Sequence, residues 1–112
     1  VRATRDICKG EMVVEYVGEH VSLEEVAIRR ERQVRLELQN YLIVLKETIS
    51  SSRTSVENCK VILTCIDAAH LGNASRFVNH SCTPNLLPLA VRTGSSVPRI
   101  GFFAARPIDT GE

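Results

Sequence analysis

The sequence predicts a mainly β domain with one helical insertion, and three observations support this fold class. Short apolar runs recur at close spacing along the chain, and glycine, proline or polar turn residues lie between them. One segment alone places its apolar residues at helical spacing. The composition, 44% apolar and 24% charged over 112 residues, is that of one small globular domain.

Five apolar runs are expected to form the strands. The first covers residues 12–17 and lies between two glycines, Gly10 and Gly18, which is typical of a buried strand. A turn is expected at 50–53, and a Gly-Ser-Ser-Val-Pro sequence predicts another at 94–98. The four remaining strands are predicted at 41–45, 60–66, 86–92 and 99–104.

A capping box marks the start of the helical insertion. Ser22 has the side chain of an N-cap, and Glu25 stands three residues later, where a capping box places its acid. Apolar residues then recur at helical spacing to about Gln39 and predict a buried face. Arginines alternate with glutamates on the other faces, which indicates a solvated surface rather than a nucleic-acid site. The predicted apolar face consists of Leu23, Val26, Ala27, Val34 and Leu38.

Charge and cysteine content exclude several classes of protein. The formal net charge of +1 argues against nucleic acid as the main partner, because phosphate binding needs a surplus of cations. No run approaches the roughly 20 apolar residues of a membrane helix, so no membrane partner is expected. None of the four cysteines forms a Cys-x-x-Cys pair, and free thiols are therefore predicted for Cys8, Cys59 and Cys65.

The segment 72–85 concentrates polar side chains between two apolar runs. Such groups need partners when they are buried, and a ligand is one way to supply them. A polar loop satisfied by its own backbone is the alternative, and composition alone favours it. A hydrolase is disfavoured, because sequence neighbours rarely present nucleophile and base to one another. The polar residues are Asn73, Arg76, Asn79, His80, Ser81 and Asn85.

Three sequence motifs occur in the same order as in a known protein family, and together they indicate a resemblance to it. Residues 76–85, Arg-Phe-Val-Asn-His-Ser-Cys-Thr-Pro-Asn, resemble the signature of SET-domain protein lysine methyltransferases, and residues 66–73 resemble the approach to it. Residues 1–19 are similar to the opening of that domain, and 98–106 to the strand before its final motif. The resemblance is greatest to histone H3 methyltransferases of the Suv39 type and of the SET–transposase fusion type. It implies the β-clip SET fold, with short strands in small sheets and one helical insertion.

The resemblance also implies how the domain is divided. Residues 1–112 match a partial SET domain whose variable insertion covers about 22–59. The family's first Gly-x-Gly cofactor motif, its C-terminal tyrosine motif and its cysteine-rich pre-SET and post-SET flanks are not among these residues. The chain is therefore expected to be a fragment that is inactive by itself.

Individual site residues follow from the same resemblance. SET enzymes transfer a methyl group from S-adenosylmethionine (SAM) to a lysine amine, and Asn79 and His80 match the residues that hold SAM. Tyr41 matches a tyrosine that touches SAM and lines the lysine channel, and Tyr16 matches a second wall of that channel. From the residues alone, core packing with the hydroxyl bonded to backbone is the preferred explanation of both tyrosines. Cys82 matches a cysteine that joins three post-SET cysteines around a structural zinc ion.

Arg76 and Asn73 are expected to stabilise the crossing of chain segments at the site. The function implied is SAM-dependent protein lysine N-methylation on the histone H3 tail, of the lysine-9 or lysine-36 class, or on another lysine-bearing protein. The tail is expected to bind as an added strand, in the nucleus and on chromosomes. The alternative is a catalytically degenerate SET domain that binds chromatin or a protein partner. A generic β interaction domain would require the three ordered motifs to be coincidence.

Overall fold

A computed structural model describes residues 1–50 and 59–112, and it arranges their strands in two small sheets beside one helix. The mainly β class with one helical insertion is thereby confirmed. The part of the expected turn that follows Ser50 lies outside the described residues. In chain order the elements are β1 (Met12–Tyr16), β2 (Glu19–His20), α1 (Leu23–Arg35), β3 (Leu42–Ser50), β4 (Cys59–Asp67), a 3-10 turn (Ala74–Phe77), β5 (Leu86–Val91) and β6 (Arg99–Ala104).

Both sheets are antiparallel and have three strands. The first has the order β1–β6–β5, with Tyr16 opposite Ile100, and the second has the order β2–β4–β3. Asp67 ends β4 and pairs with Glu19 on one side and Leu42 on the other. The end of β4 is thus the place where all three strands of the second sheet meet.

One apolar core joins the two sheets. Tyr16, Ile100 and Phe102 enter it from the first sheet, and Ile66 and Ala68 enter it from β4 and the residue just beyond. Ile100 and Ala68 are fully buried. Because β-branched and aromatic residues fit a half-buried pleated surface, the runs that contain these residues form strands.

Helix α1 begins where the sequence predicts but ends earlier. The Ser22 hydroxyl accepts a hydrogen bond from the Glu25 amide at 3.2 Å, which confirms the N-cap. The helix ends at Arg35 rather than near Gln39, because Glu37 adopts a left-handed conformation with φ of 51°.

The predicted apolar face of α1 is largely wrong. Val26 is buried, but Val34 is 81% exposed, and Leu23, Ala27 and Leu38 are also exposed. The helix packs instead through the side that carries Val26 and the half-buried Arg29, whose ion pairs to the second sheet the sequence pattern does not reveal.

The sequence also missed β2 and the 3-10 turn, and both are shorter than the segments that periodicity detects. Cys65 is buried and the other three cysteines are exposed, and Cys8, Cys59 and Cys65 are free thiols, as predicted. Within the described part of the chain, no helix combines the length and apolar character needed to cross a membrane.

Candidate functional site

The polar segment is anchored to the first sheet by Asn73. Its side-chain oxygen accepts hydrogen bonds from the amide and the hydroxyl of Ser75, which starts the 3-10 turn. Its side-chain amide donates to the backbone oxygen of Glu15 in β1 at 3.0 Å. Asn73 therefore joins two chain segments that lie 58 residues apart, which agrees with its expected role at the crossing.

A cavity of about 610 Å³ opens between this segment, the start of β3 and the first sheet. Four of the five predicted site residues line it, which are Tyr16, Tyr41, Asn79 and His80. Cys82 does not line it. Apolar side chains, including Ile43 and Phe102, complete the wall, so the cavity combines a few polar groups with an apolar lining.

The two tyrosines are joined through one backbone atom. The Tyr16 hydroxyl donates a hydrogen bond to the Tyr41 carbonyl oxygen, which also accepts from the Ala68 amide at 3.0 Å. The Tyr16 ring is buried and meets Phe102 edge-on, with ring centres 5.8 Å apart. Burial raises the pKa of the Tyr16 phenol and the Asp67 charge raises it further, so the hydroxyl keeps its proton at neutral pH.

Arg76 stacks on the Tyr41 ring at the cavity wall. Its guanidinium carbon lies 4.2 Å from the centre of that ring and 5.5 Å from the centre of the Phe77 ring. Its Nε atom is buried and has no hydrogen-bond partner among the described residues. Arg76 lines the cavity, and a buried donor without a partner in such a residue suits a ligand that brings an acceptor atom. From the sequence, Arg76 was expected only to stabilise the crossing of chain segments. The structure shows that it also lines the cavity.

Asn79 and His80 lie at the exposed rim of the cavity. Asn79 also lines a second cavity of about 240 Å³, which Asn85, Glu112 and the first three residues of the chain complete. The Asn79 amide is therefore within reach of ligands in either cavity, and it can both donate and accept hydrogen bonds.

Cys82 stands apart from the other predicted residues. Its thiol is exposed and lies 4.0 Å from Nε2 of His80. The described residues contain no group of three histidine, cysteine or acidic side chains that could hold a metal ion. One thiolate cannot complete the four-coordinate site that structural zinc requires, so these residues do not fit a zinc site by themselves.

The whole chain, residues 1–112, matches the family model described as the SET domain. The chain is 43% identical over 105 residues to histone-lysine N-methyltransferase SETMAR of Bos taurus, covering 91% of this chain and 31% of that protein. It is 40% identical over 112 residues to the probable histone-lysine N-methyltransferase set-23 of Caenorhabditis elegans, covering 100% of this chain and 42% of that protein. It is 39% identical over 115 residues to human histone-lysine N-methyltransferase EHMT1, covering 100% of this chain and 8% of that protein.

The structure is similar to the crystal structure of the methyltransferase domain of human SETMAR. The TM-score is 0.73 at 35% sequence identity, and the match covers 99% of this chain and 36% of that chain. The chain thus spans less than half the length of each of these relatives.

Proposed function

The chain belongs to the SET-domain family, and from that premise we propose that it forms part of a protein lysine N-methyltransferase that uses SAM. The observation that carries the proposal is the 610 Å³ cavity, because its wall combines Tyr16, Tyr41, Asn79 and His80. The names of the relatives support the reaction class.

The cavity wall fits the chemistry of SAM. Its volume lies within the range of about 300–1,000 Å³ that is common for small-molecule sites. Asn79 and His80 would hold SAM, and the unpaired Nε of Arg76 is a donor for a carboxylate or a ring nitrogen. When bound, SAM would supply a methyl group activated by a positively charged sulfur atom.

The acceptor lysine must lose its proton before it can accept a methyl group. The reference pKa of lysine is about 10.4, and removal from water lowers the pKa by disfavouring the ammonium form. The buried Tyr16 and Phe102 rings and the partly buried Ile43 supply such a desolvating wall. The Tyr16 hydroxyl donates to the Tyr41 carbonyl, so its oxygen lone pairs are left to accept a hydrogen bond from the amine.

The open edge of β3 would receive the substrate chain. In the order β2–β4–β3, strand β3 has a strand partner on one side only within the described residues. Its first two residues, Leu42 and Ile43, line the cavity, so a peptide added to this edge would bring a lysine side chain near the tyrosines. We propose the histone H3 tail, of the lysine-9 or lysine-36 class, as the substrate, which would place the activity on chromosomes in the nucleus.

Activity is assigned to the protein that carries the whole domain. The Gly-x-Gly motif and the C-terminal tyrosine motif of the family are not among the 112 residues, so this chain alone is expected to be inactive. Zinc binding by Cys82 would likewise require cysteines from outside these residues, and no catalytic step depends on it.

The test is methyl transfer from labelled SAM to recombinant histone H3 by the protein that carries the whole SET domain. Asn79→Ala is the test variant, and Thr93→Ala, at an exposed position away from the cavity, is the control. We expect label on a lysine with the unmodified protein and the control, and little with Asn79→Ala. Transfer to another protein would correct the substrate. Absence of SAM binding would contradict the enzyme and favour a degenerate binding module.

A further inference from the structure

We infer that Arg29 is a positioning residue for the proposed methyl transfer, because its ion pair with Asp67 holds helix α1 against the turn that fixes Tyr41. This inference rests on the proposed function, but it concerns a residue of the variable insertion that the family motifs do not include. Arg29 does not line the 610 Å³ cavity, so any effect on catalysis must pass through other residues.

Arg29 connects three elements of the fold. Its Nη1 atom lies 2.8 Å from Oδ2 of Asp67 at the end of β4, and its Nε atom lies 2.8 Å from Oε1 of Glu25 in α1. Its Nη2 atom lies 3.3 Å from Oε2 of Glu19 in β2. The Asp67 side chain is only 3% exposed, so removal of the guanidinium would leave a buried carboxylate without its cation.

The Asp67 carboxylate fixes a short turn that leads to both tyrosines. Its Oδ1 atom accepts a hydrogen bond from the Ala69 amide at 2.9 Å. Between these two residues, the Ala68 amide donates to the Tyr41 carbonyl oxygen, the same atom that accepts from the Tyr16 hydroxyl. A chain of direct contacts therefore runs from Arg29 to the two tyrosines.

Tight packing prevents this turn from absorbing a displacement. Ala68 is fully buried. A Cβ atom added at Gly18 would lie 2.7 Å from the carbonyl carbon of Asp67, so the chain entering β2 is already in close contact with this turn. A shift of Asp67 must consequently move its neighbours, including the amide that holds Tyr41.

Tyr41 also lines two cavities, and Arg29 lines only one of them. A third cavity, of about 320 Å³, is lined by Arg29, Asp67 and Tyr41, while Tyr41 also lines the 610 Å³ cavity. Because Arg29 is not part of the lining of the 610 Å³ cavity, positioning through Tyr41, rather than contact with a ligand in that cavity, is the role that its location permits.

A purely stabilising ion pair is the alternative, and the chain offers a matched control for it. Arg92 and Glu47 are 2.8 Å apart, with side chains 35% and 18% exposed, and neither residue lines the 610 Å³ cavity. Arg92→Met removes an ion pair of the same length outside the Arg29 network. Arg29→Met removes the network, and Arg29→Lys restores one charge without the planar fork that serves three carboxylates.

The first experiment measures kcat, KM for peptide and SAM affinity in the protein that carries the whole SET domain. Because small misplacements near a reacting centre are costly, Arg29→Met should lower kcat by about tenfold or more. SAM affinity should change much less, Arg29→Lys should recover part of kcat, and Arg92→Met should leave kcat unchanged. Equal effects of Arg29→Met and Arg92→Met on kcat would overturn the inference.

The second experiment does not depend on catalysis. In the protein that carries the whole SET domain, tyrosine labelled at the ring ε carbons gives one NMR signal for each mobile ring, and Tyr16→Phe and Tyr41→Phe would assign the signals of these two residues. Arg29→Met should shift the Tyr16 signal, and Arg92→Met should not. An unmoved Tyr16 signal in folded Arg29→Met would refute positioning even if the protein proved to be no methyltransferase. If Arg29→Met does not fold, kcat and the Tyr16 signal are measured in Arg29→Lys and Asp67→Asn instead, and the same outcomes support or overturn the inference.

Discussion

The hydroxyl of Tyr16 donates a hydrogen bond to the backbone carbonyl of Tyr41, a residue 25 positions later in the chain. The bond joins β1 of the first sheet to the residue that precedes β3 of the second. It fixes the direction of the hydroxyl proton and leaves the phenol oxygen as an acceptor beside the cavity. The same contact thus connects the packing of the two sheets to the chemistry proposed for the cavity.

Tyr16→Phe should separate these two roles. The Tyr41 carbonyl keeps the Ala68 amide as a donor, so no acceptor is left unpaired. The free energy of unfolding should therefore fall by only about 1 kcal/mol. Methyl transfer should fall by at least about tenfold, because the amine loses its hydrogen-bond acceptor. Denaturant unfolding and the methyl-transfer assay measure the two effects. Undiminished transfer by Tyr16→Phe would contradict the proposed role of this hydroxyl.

Arg76→Lys should remove the planar group that stacks on Tyr41 in the cavity wall, while the positive charge stays. Lysine cannot stack a planar group on the Tyr41 ring, so we expect a loss of about 1 kcal/mol in the free energy of unfolding. SAM binding should also weaken, because the Nε donor is removed. Calorimetric titration with SAM checks this, and Arg99→Lys, at a 62% exposed side chain away from the cavity, is the control. Unchanged SAM affinity would show that Arg76 serves only to order Tyr41.

The sequence predicted those features whose causes are local. Short apolar runs predicted the main strands, and the hydroxyl of Ser22 predicted the start of α1. The end of α1 depends on a left-handed Glu37, which has no glycine or asparagine to signal it.

The candidate site was predictable only in part, for a related reason. The ordered motifs indicated four residues that the fold brings to one cavity, including Asn79 and His80. The link between Arg29 and Asp67 was not predictable, because it joins residues 38 positions apart and each is ordinary in its local sequence. The stacking of Arg76 on Tyr41 likewise arises only when β3 meets the polar segment.

Gly18→Ala should destabilise the fold. The added methyl group would meet the backbone of Asp67 at 2.7 Å and the Ile66 side chain at 2.8 Å, and backbone cannot move aside as a flexible side chain can. We expect a cost of about 1–3 kcal/mol, as is typical of overpacking. Thermal and denaturant unfolding measure it, with Ala74→Ser as an exposed control. A cost near zero would show that Gly18 can move away from Asp67 and Ile66 without loss of packing.

The ionisation of Glu112 should make the stability of the fold depend on pH. The Arg106 guanidinium and the Asn85 amide stabilise its carboxylate and lower its pKa to about 2. Because the folded pKa lies below the unfolded value of about 4.3, the stabilisation is complete above that value and is lost as the pH falls toward 2. Glu112→Gln should therefore lower the urea midpoint at pH 6 but not at pH 2. A midpoint difference that persists at pH 2 would contradict this assignment.

The two valines of α1 provide the sharpest test of how the helix packs. Val26 is 4% exposed and contacts the small cluster that contains Leu42 and Cys65, so Val26→Ala should cost about 2 kcal/mol through lost burial and the cavity left behind. Val34 is 81% exposed, so Val34→Ala should change the free energy of unfolding by less than about 0.5 kcal/mol. The two substitutions remove the same atoms from the same helix, so helix propensity cancels between them. Equal costs in denaturant unfolding would contradict this packing, because they would mean that Val26 and Val34 are equally buried.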